Sequence, residues 1–255
     1  MLKSVFARLG ASSLISLGKG LRMTSLESRN FLVLPALAFL AAIVALETSG
    51  ADLQIADWLY RLQGGRWQLQ DAWITNNLIH DQGRNLVGIA LLAILLAIAL
   101  SFVITPIRAY RGDLIYVLVT ALIAVALVNI LKETTHVDCP WDLTRYGGDK
   151  LYASLWESVP TNQEPGRCFP AGHASGAYCW LGLFFFARRR FPARQWQVLT
   201  AVLATGLVFG VAQQLRGAHF VSHDVWTIFI CWMMAALGRL ALDRFARDGL
   251  ARAGL

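Results

Sequence analysis

The chain has 255 residues, of which 56% are hydrophobic and only 15% charged, with a formal net charge of +7. A soluble domain carries about 25% charged residues, so an ordinary soluble fold is excluded. The basic excess clusters beside apolar runs, where it acts as a topology signal and points to anionic lipid rather than nucleic acid. Four cysteines are too few for a disulfide scaffold or a convincing metal cage.

Residues 1–30 form a basic segment (Lys3, Arg8, Lys19, Arg22, Arg29) with one acid, Glu27. No small-residue cleavage site follows, so the segment reads as a cytoplasmic tail ahead of an uncleaved first span. Apolar runs then fall at about 31–47, 86–107, 114–131, 174–187, 197–215 and 225–242. A helix needs roughly 20 apolar residues to cross about 30 Å of hydrocarbon, and the shorter runs must borrow flanking residues or tilt. The expected fold is all-α: a polytopic membrane helix bundle of about six transmembrane helices, one membrane domain over 31–245 with its core at 85–242. Between the first two runs, 48–85 mixes Trp58, Tyr60, Trp67 and Trp73 with Asp and Arg, as an amphipathic segment on the membrane surface does. Residues 132–172 form a longer polar loop punctuated by Pro and Gly.

With the N-terminus in the cytoplasm, fifteen of the 23 Lys and Arg fall on the cytoplasmic side. These include Arg108, Arg111, Arg188, Arg189, Arg190, Arg194, Arg239, Arg244, Arg247 and Arg252. The positive-inside rule then predicts both termini in the cytoplasm. Cations left on the opposite face are candidates for holding a ligand.

Three outer segments carry that chemistry. Lys132 ends the third run; alone it is a snorkelling lysine, but His136, Asp138, Cys139 and Pro140 follow it. Phosphate recognition favours such a cation beside a second, bidentate one, with Arg145, Arg167 and Arg216 as candidates. Pro170-Ala171-Gly172-His173 opens the fourth run. Backbone N–H groups at a helix start cradle an anion, and an imidazole there can protonate a leaving oxygen. Arg216-Gly217-Ala218-His219 closes the fifth run, and His223 and Asp224 follow. A nucleophilic imidazole needs one ring nitrogen free and the other held by an acceptor, which either Asp224 or His223 supplies. His80, near Asp81 and Arg84, reads as a surface residue, and His136 as a candidate for lining the pocket.

Lys132, six residues, a variable position and Pro140 resemble the first motif of the type 2 phosphatidic acid phosphatase superfamily, Lys-x6-Arg-Pro, with Cys139 in place of Arg. Pro170-Ala171-Gly172-His173 resembles its second, Pro-Ser-Gly-His. Gly217-Ala218-His219-Phe220 is similar to the core of its third, in which an Arg precedes the His by six and an Asp follows by four. Those two positions hold Gln213 and His223 here, with Arg216 one helical turn along and Asp224 adjacent.

The resemblance implies a phosphatase chemistry without metal or cofactor. Lys132 binds phosphoryl oxygens, His219 attacks phosphorus, His173 protonates the departing alkoxide and then activates water, and the Gly172 backbone holds an oxygen. Arg216 and Arg145 stand in for the missing motif arginines. The implied substrate is a membrane lipid with a phosphorylated head: undecaprenyl pyrophosphate, lipid A, phosphatidylglycerophosphate or phosphatidate. The implied setting is a bacterial inner membrane with the active site facing the periplasm. A lipid phosphotransferase using the same phosphohistidine, or a non-catalytic lipid-binding protein, are the alternatives. Cys139 and Cys168 lie in one outer loop, where an oxidising periplasm permits a disulfide; Cys179 and Cys231 lie inside apolar runs as packing residues.

Overall fold

The structure, a computed structural model, describes residues 25–157 and 164–252. Most of the basic tail, with Lys3, Arg8, Lys19 and Arg22, lies outside them. The elements in order are α1 (Ser25–Ser49), α2 (Ala51–Leu62), a π-helical turn at Ile74–Asp81 leading into α3 (Gln82–Leu100), α4 (Thr105–Arg108) and α5 (Arg111–Thr134). After the long loop come α6 (Gly172–Tyr178), a 3₁₀ turn at Cys179–Leu181, α7 (Gly182–Arg190), α8 (Gln195–Leu215) and α9 (Val221–Arg252).

Five segments are long and apolar enough to cross a membrane: Arg29–Ser49, Ile74–Leu100, Arg111–Thr134, Pro192–Leu215 and Val221–Ala246. Their outward side chains, such as Leu34, Leu37, Leu40, Leu92 and Leu96, are exposed, as a hydrocarbon surround requires. The remaining apolar run, the fourth in the chain, is the broken helix α6–α7. It sits in the middle of the bundle, with Ala174, Ala177, Leu181, Phe184 and Phe185 buried. Being wrapped by protein, it tolerates the Gly, Ser, His and Tyr that make its first turns less apolar. The second run begins earlier than its hydropathy suggests, because the helix extends back through the π turn to Ile74 and so carries His80 and Asp81 on the spanning segment itself. It also ends sooner, at Leu100, where Ser101 and its neighbours turn the chain.

α2 is amphipathic. It buries Ala56 and Leu59 and packs with Leu143, Tyr146 and Phe220, leaving Trp58 and Leu62 exposed. Its Asp52 accepts the Ser222 backbone N–H at 2.9 Å and so caps the start of α9.

At one end of the bundle Asp113 is fully buried and paired with Arg189 at 2.9 Å, Arg190 at 2.6 Å and Arg239 at 3.3 Å, while Arg239 also pairs with Asp243. This cluster fastens α5, α7 and α9 together. Removing one member leaves buried charge uncompensated, which costs about 3–5 kcal/mol. Asp113→Ala is therefore expected to lower the thermal unfolding midpoint sharply in detergent. An unchanged midpoint would show that the cluster holds nothing.

Candidate active site

The site forms at the opposite end, where spans that alternate in direction bring the start of α3, the end of α5, the start of α6 and the end of α8 together. The turn after α8 is closed by the Ala218 N–H on the Gln213 carbonyl at 2.9 Å. Gly217 lies in the left-handed region at φ 74°, against the Trp67 ring, where a Cβ would meet indole atoms at 2.5 Å; only glycine fits both demands. The Trp141 N–H then bonds the Gly217 carbonyl at 2.9 Å, which seats the long loop on the turn that carries His219. The same loop is joined to itself by a Cys139–Cys168 disulfide, Cα atoms 5.1 Å apart. Thr135 Oγ1 donates to the Phe169 carbonyl at 3.0 Å, and Thr227 Oγ1 to the Ala171 carbonyl at 3.2 Å, so the residues just before α6 are held from both α5 and α9.

These restraints surround a cavity of about 460 Å³ lined by, among others, Lys132, His173, Arg216, His219, Gln213 and His80. Gly172 lies beside Lys132: a Cβ built on it would sit 3.1 Å from the lysine Nζ. Arg216 is buried, its Nε donating to the Gln70 carbonyl at 2.8 Å and its Nη1 to Gln213 Oε1 at 3.3 Å. The guanidinium and the neighbouring glutamine thus occupy one wall of the cavity together.

His219 is buried, and its Nδ1 lies 3.3 Å from Nδ1 of His223. With that nitrogen engaged, Nε2 is the free one. Burial holds the His219 imidazole well below its ordinary value of 6.5, and His223, Lys132 and His173 push the same way against the Cys168 carbonyl. The ring is therefore neutral at physiological pH, the form with a lone pair. The sign for stability follows. Below about pH 6.5 the unfolded chain takes up a proton that the folded chain refuses, so stability falls as the solution is acidified. Thermal unfolding in detergent is expected to drop between pH 7 and 5, and less so in His219→Gln. Equal drops in both would assign the effect elsewhere.

Several expected residues lie elsewhere. Arg145 is exposed and committed to Asp57 through two hydrogen bonds of 2.6 Å. It does not line the cavity; Arg216 and Arg167 do. Asp224 faces α8, where Oδ2 accepts from Gln214 Nε2 at 2.6 Å. The group beside His219 is His223. His136 is exposed at φ 56° and is not among the cavity-lining residues. Arg167 lies at the rim, paired with Glu133 at 2.9 Å. Asp142 completes a close cluster with Cys139 and Cys168, but the bonded sulfurs offer no thiolate to a metal.

Lys150, Trp141 and His80 line the cavity without having stood out as site residues. For His80 a signal existed: it precedes the second span, and alternation of spans puts that end on the same face as the three motifs.

Beside the cavity a second, apolar groove of about 440 Å³ runs along α3, α6 and α8, lined by Leu86, Val87, Ile94, Gly176, Val202 and Phe209, among others. The ring of Phe209, in the groove's lining, is 4.6 Å from that of His173, in the cavity's.

The family model of the PAP2 superfamily matches residues 113–246. Among solved structures, a transmembrane PAP2 type phosphatidylglycerolphosphate phosphatase from Bacillus subtilis is similar to the chain at 19% identity and a TM-score of 0.49, covering 88% of this chain and 97% of that one. No curated protein matches the chain.

Proposed function

The chain belongs to the PAP2 superfamily and is a membrane phosphatase of that family, a premise from which we propose that it cleaves a phosphomonoester or pyrophosphate on a membrane lipid through a phosphohistidine at His219. The observation that carries this reading is the convergence of Lys132, His173, Arg216 and His219 on one cavity.

In the first step the Nε2 lone pair of His219 attacks phosphorus. The bond from phosphorus to the lipid oxygen breaks, and His173 gives its proton to that oxygen. Lys132 and Arg216 oppose the charge on the phosphoryl oxygens, with the backbone at Gly172 as a further donor. In the reactive tautomer His219 carries its proton on Nδ1, beside His223 Nδ1 and with the Cys168 carbonyl as an acceptor for the ring, and attacks through Nε2. In the second step neutral His173 takes a proton from water. The resulting hydroxide attacks phosphorus, the P–N bond breaks, and phosphate and both imidazoles are returned.

A lipid is favoured over a soluble ester by the neighbouring apolar groove, whose lining residue Phe209 packs on His173 of the cavity. A hydrocarbon chain lying there places the head group at His173. The arginine cluster on Asp113, at the end away from the cavity, supports an orientation with that end in the cytoplasm and the cavity facing the periplasm of a bacterial inner membrane.

The experiment is phosphate release by purified protein in detergent from the candidate lipids, run with isotopically labelled phosphate. A protein-bound label that survives alkali and is lost in acid is expected. An acid-stable label, or no release from any phospholipid or isoprenyl phosphate, overturns the reading. Transfer of the label to an added lipid alcohol in preference to water identifies a phosphotransferase.

A further inference from the structure

His173 has to act twice through one nitrogen, yet no hydrogen bond orients that nitrogen in the described structure. Its Nε2 is buried and has no hydrogen-bond partner among the described residues. His219 by contrast is held by His223. His173 is held by a hydrogen bond to the backbone of Ile79, the residue before His80, and by stacking. The His80 ring lies 4.6 Å from it at an interplanar angle of 28°, and the Phe209 ring lies 4.6 Å from it at 32°. Both rings pack on the imidazole, the His80 ring stacked and the Phe209 ring tilted.

The local backbone is built to bring His80 there. Residues Ile74–Asp81 form a π turn, in which the Leu78 N–H reaches back to the Trp73 carbonyl at 2.9 Å. The wider turn re-aims the residues that follow it, a device recurrent at functional sites. His80 Nδ1 and Asp81 Oδ1 are 3.2 Å apart, which fixes the ring on its own helix. Three residues on, Gly83 allows the close approach: a Cβ there would lie 2.8 Å from Phe209 Cζ and 3.4 Å from His173 Nε2.

We propose that His80 is a positioning residue for the reaction, clamping the His173 imidazole against Phe209 so that Nε2 faces the oxygen it must protonate. The proposal rests on the reading of His173 as the acid and base. An imidazole tethered by one hydrogen bond can still swing about it, and a misplacement of about 1 Å at a reacting group costs about a hundredfold in rate. Two rings packed on the imidazole restrict that swing without consuming the nitrogen that reacts.

The proposal separates a planar surface from a proton donor. His80→Ala is expected to lower kcat about 10- to 100-fold with KM nearly unchanged, because the head-group cations are untouched. His80→Phe, which keeps a ring and has no proton to give, is expected to restore kcat to within about fivefold of the wild type. His80→Gln, polar toward Asp81 but without a ring, is expected to behave as His80→Ala and takes its place if the alanine variant does not fold by size-exclusion chromatography. His80→Phe as slow as the ringless variants would overturn the clamp, and so would ringless variants as fast as the wild type. His173→Ala, measured alongside, keeps the two questions apart: a wild-type rate there sinks the functional reading itself, whatever His80 does.

Discussion

His219→Ala is expected to reduce phosphate release at least about a thousandfold, a loss of about 4 kcal/mol of transition-state stabilisation. The size follows from what the ring does. In the proposed mechanism the loss of Nε2 leaves no covalent acceptor, and water must attack phosphorus directly while Lys132 and Arg216 hold its oxygens. Those cations continue to bind the head group, so KM is expected to change little while kcat collapses. His219→Gln supplies the same test with the cavity kept filled. The labelled protein intermediate must vanish in both variants. A residual rate within tenfold of the wild type, or a label that persists, removes the phosphohistidine from the pathway.

The second large effect belongs to His173, and its size depends on the substrate. With an alkyl phosphate, such as a lipid ester, the leaving oxygen is a poor one, and loss of the general acid costs about 10²–10⁴-fold. With a phenolic phosphate the oxygen leaves without help. His173→Ala is then expected to give a rapid burst of phenolate, stoichiometric with enzyme, followed by slow turnover, because the base that activates water for the second step is also missing. Labelled phosphoenzyme should accumulate in this variant alone. Equal losses on the two substrate classes, without a burst, would show that His173 binds phosphate instead of moving a proton.

Much of this site was legible because lipid imposes few choices. Apolar runs must be helices, and helices joined in series alternate in direction, so Lys132, His173, Arg216 and His219 had to share a face. The residues that sequence misplaced or left open depended on information no window contains. Arg145 is spoken for by Asp57, which lies 88 positions earlier. Asp224 and His223 are neighbours on α9, so their side chains point about 100° apart. Only the entry angle of that helix decides which one meets His219, and Asp224 is drawn off by Gln214 on α8. His136 turns outward on a single left-handed residue. His80 was hidden by a π turn, whose extra residue breaks the 3.6-residue period on which a reading of helix faces relies.

The fastenings of the bundle are unevenly shared. The ion cluster on Asp113 locks α5, α7 and α9 at one end, and at the other the cross-linked loop and its hydrogen bonds seat the ends of α5 and α6 against the α8 turn and α9. α3 leans on its neighbours through Gly83, Val87 and Ile94, a seam of small and aliphatic groups. The apolar groove lined by Val87 and Ile94 runs along that seam, so a hydrocarbon chain held there would rest against side chains alone, with no ion pair from α3 to another helix to displace among the described residues.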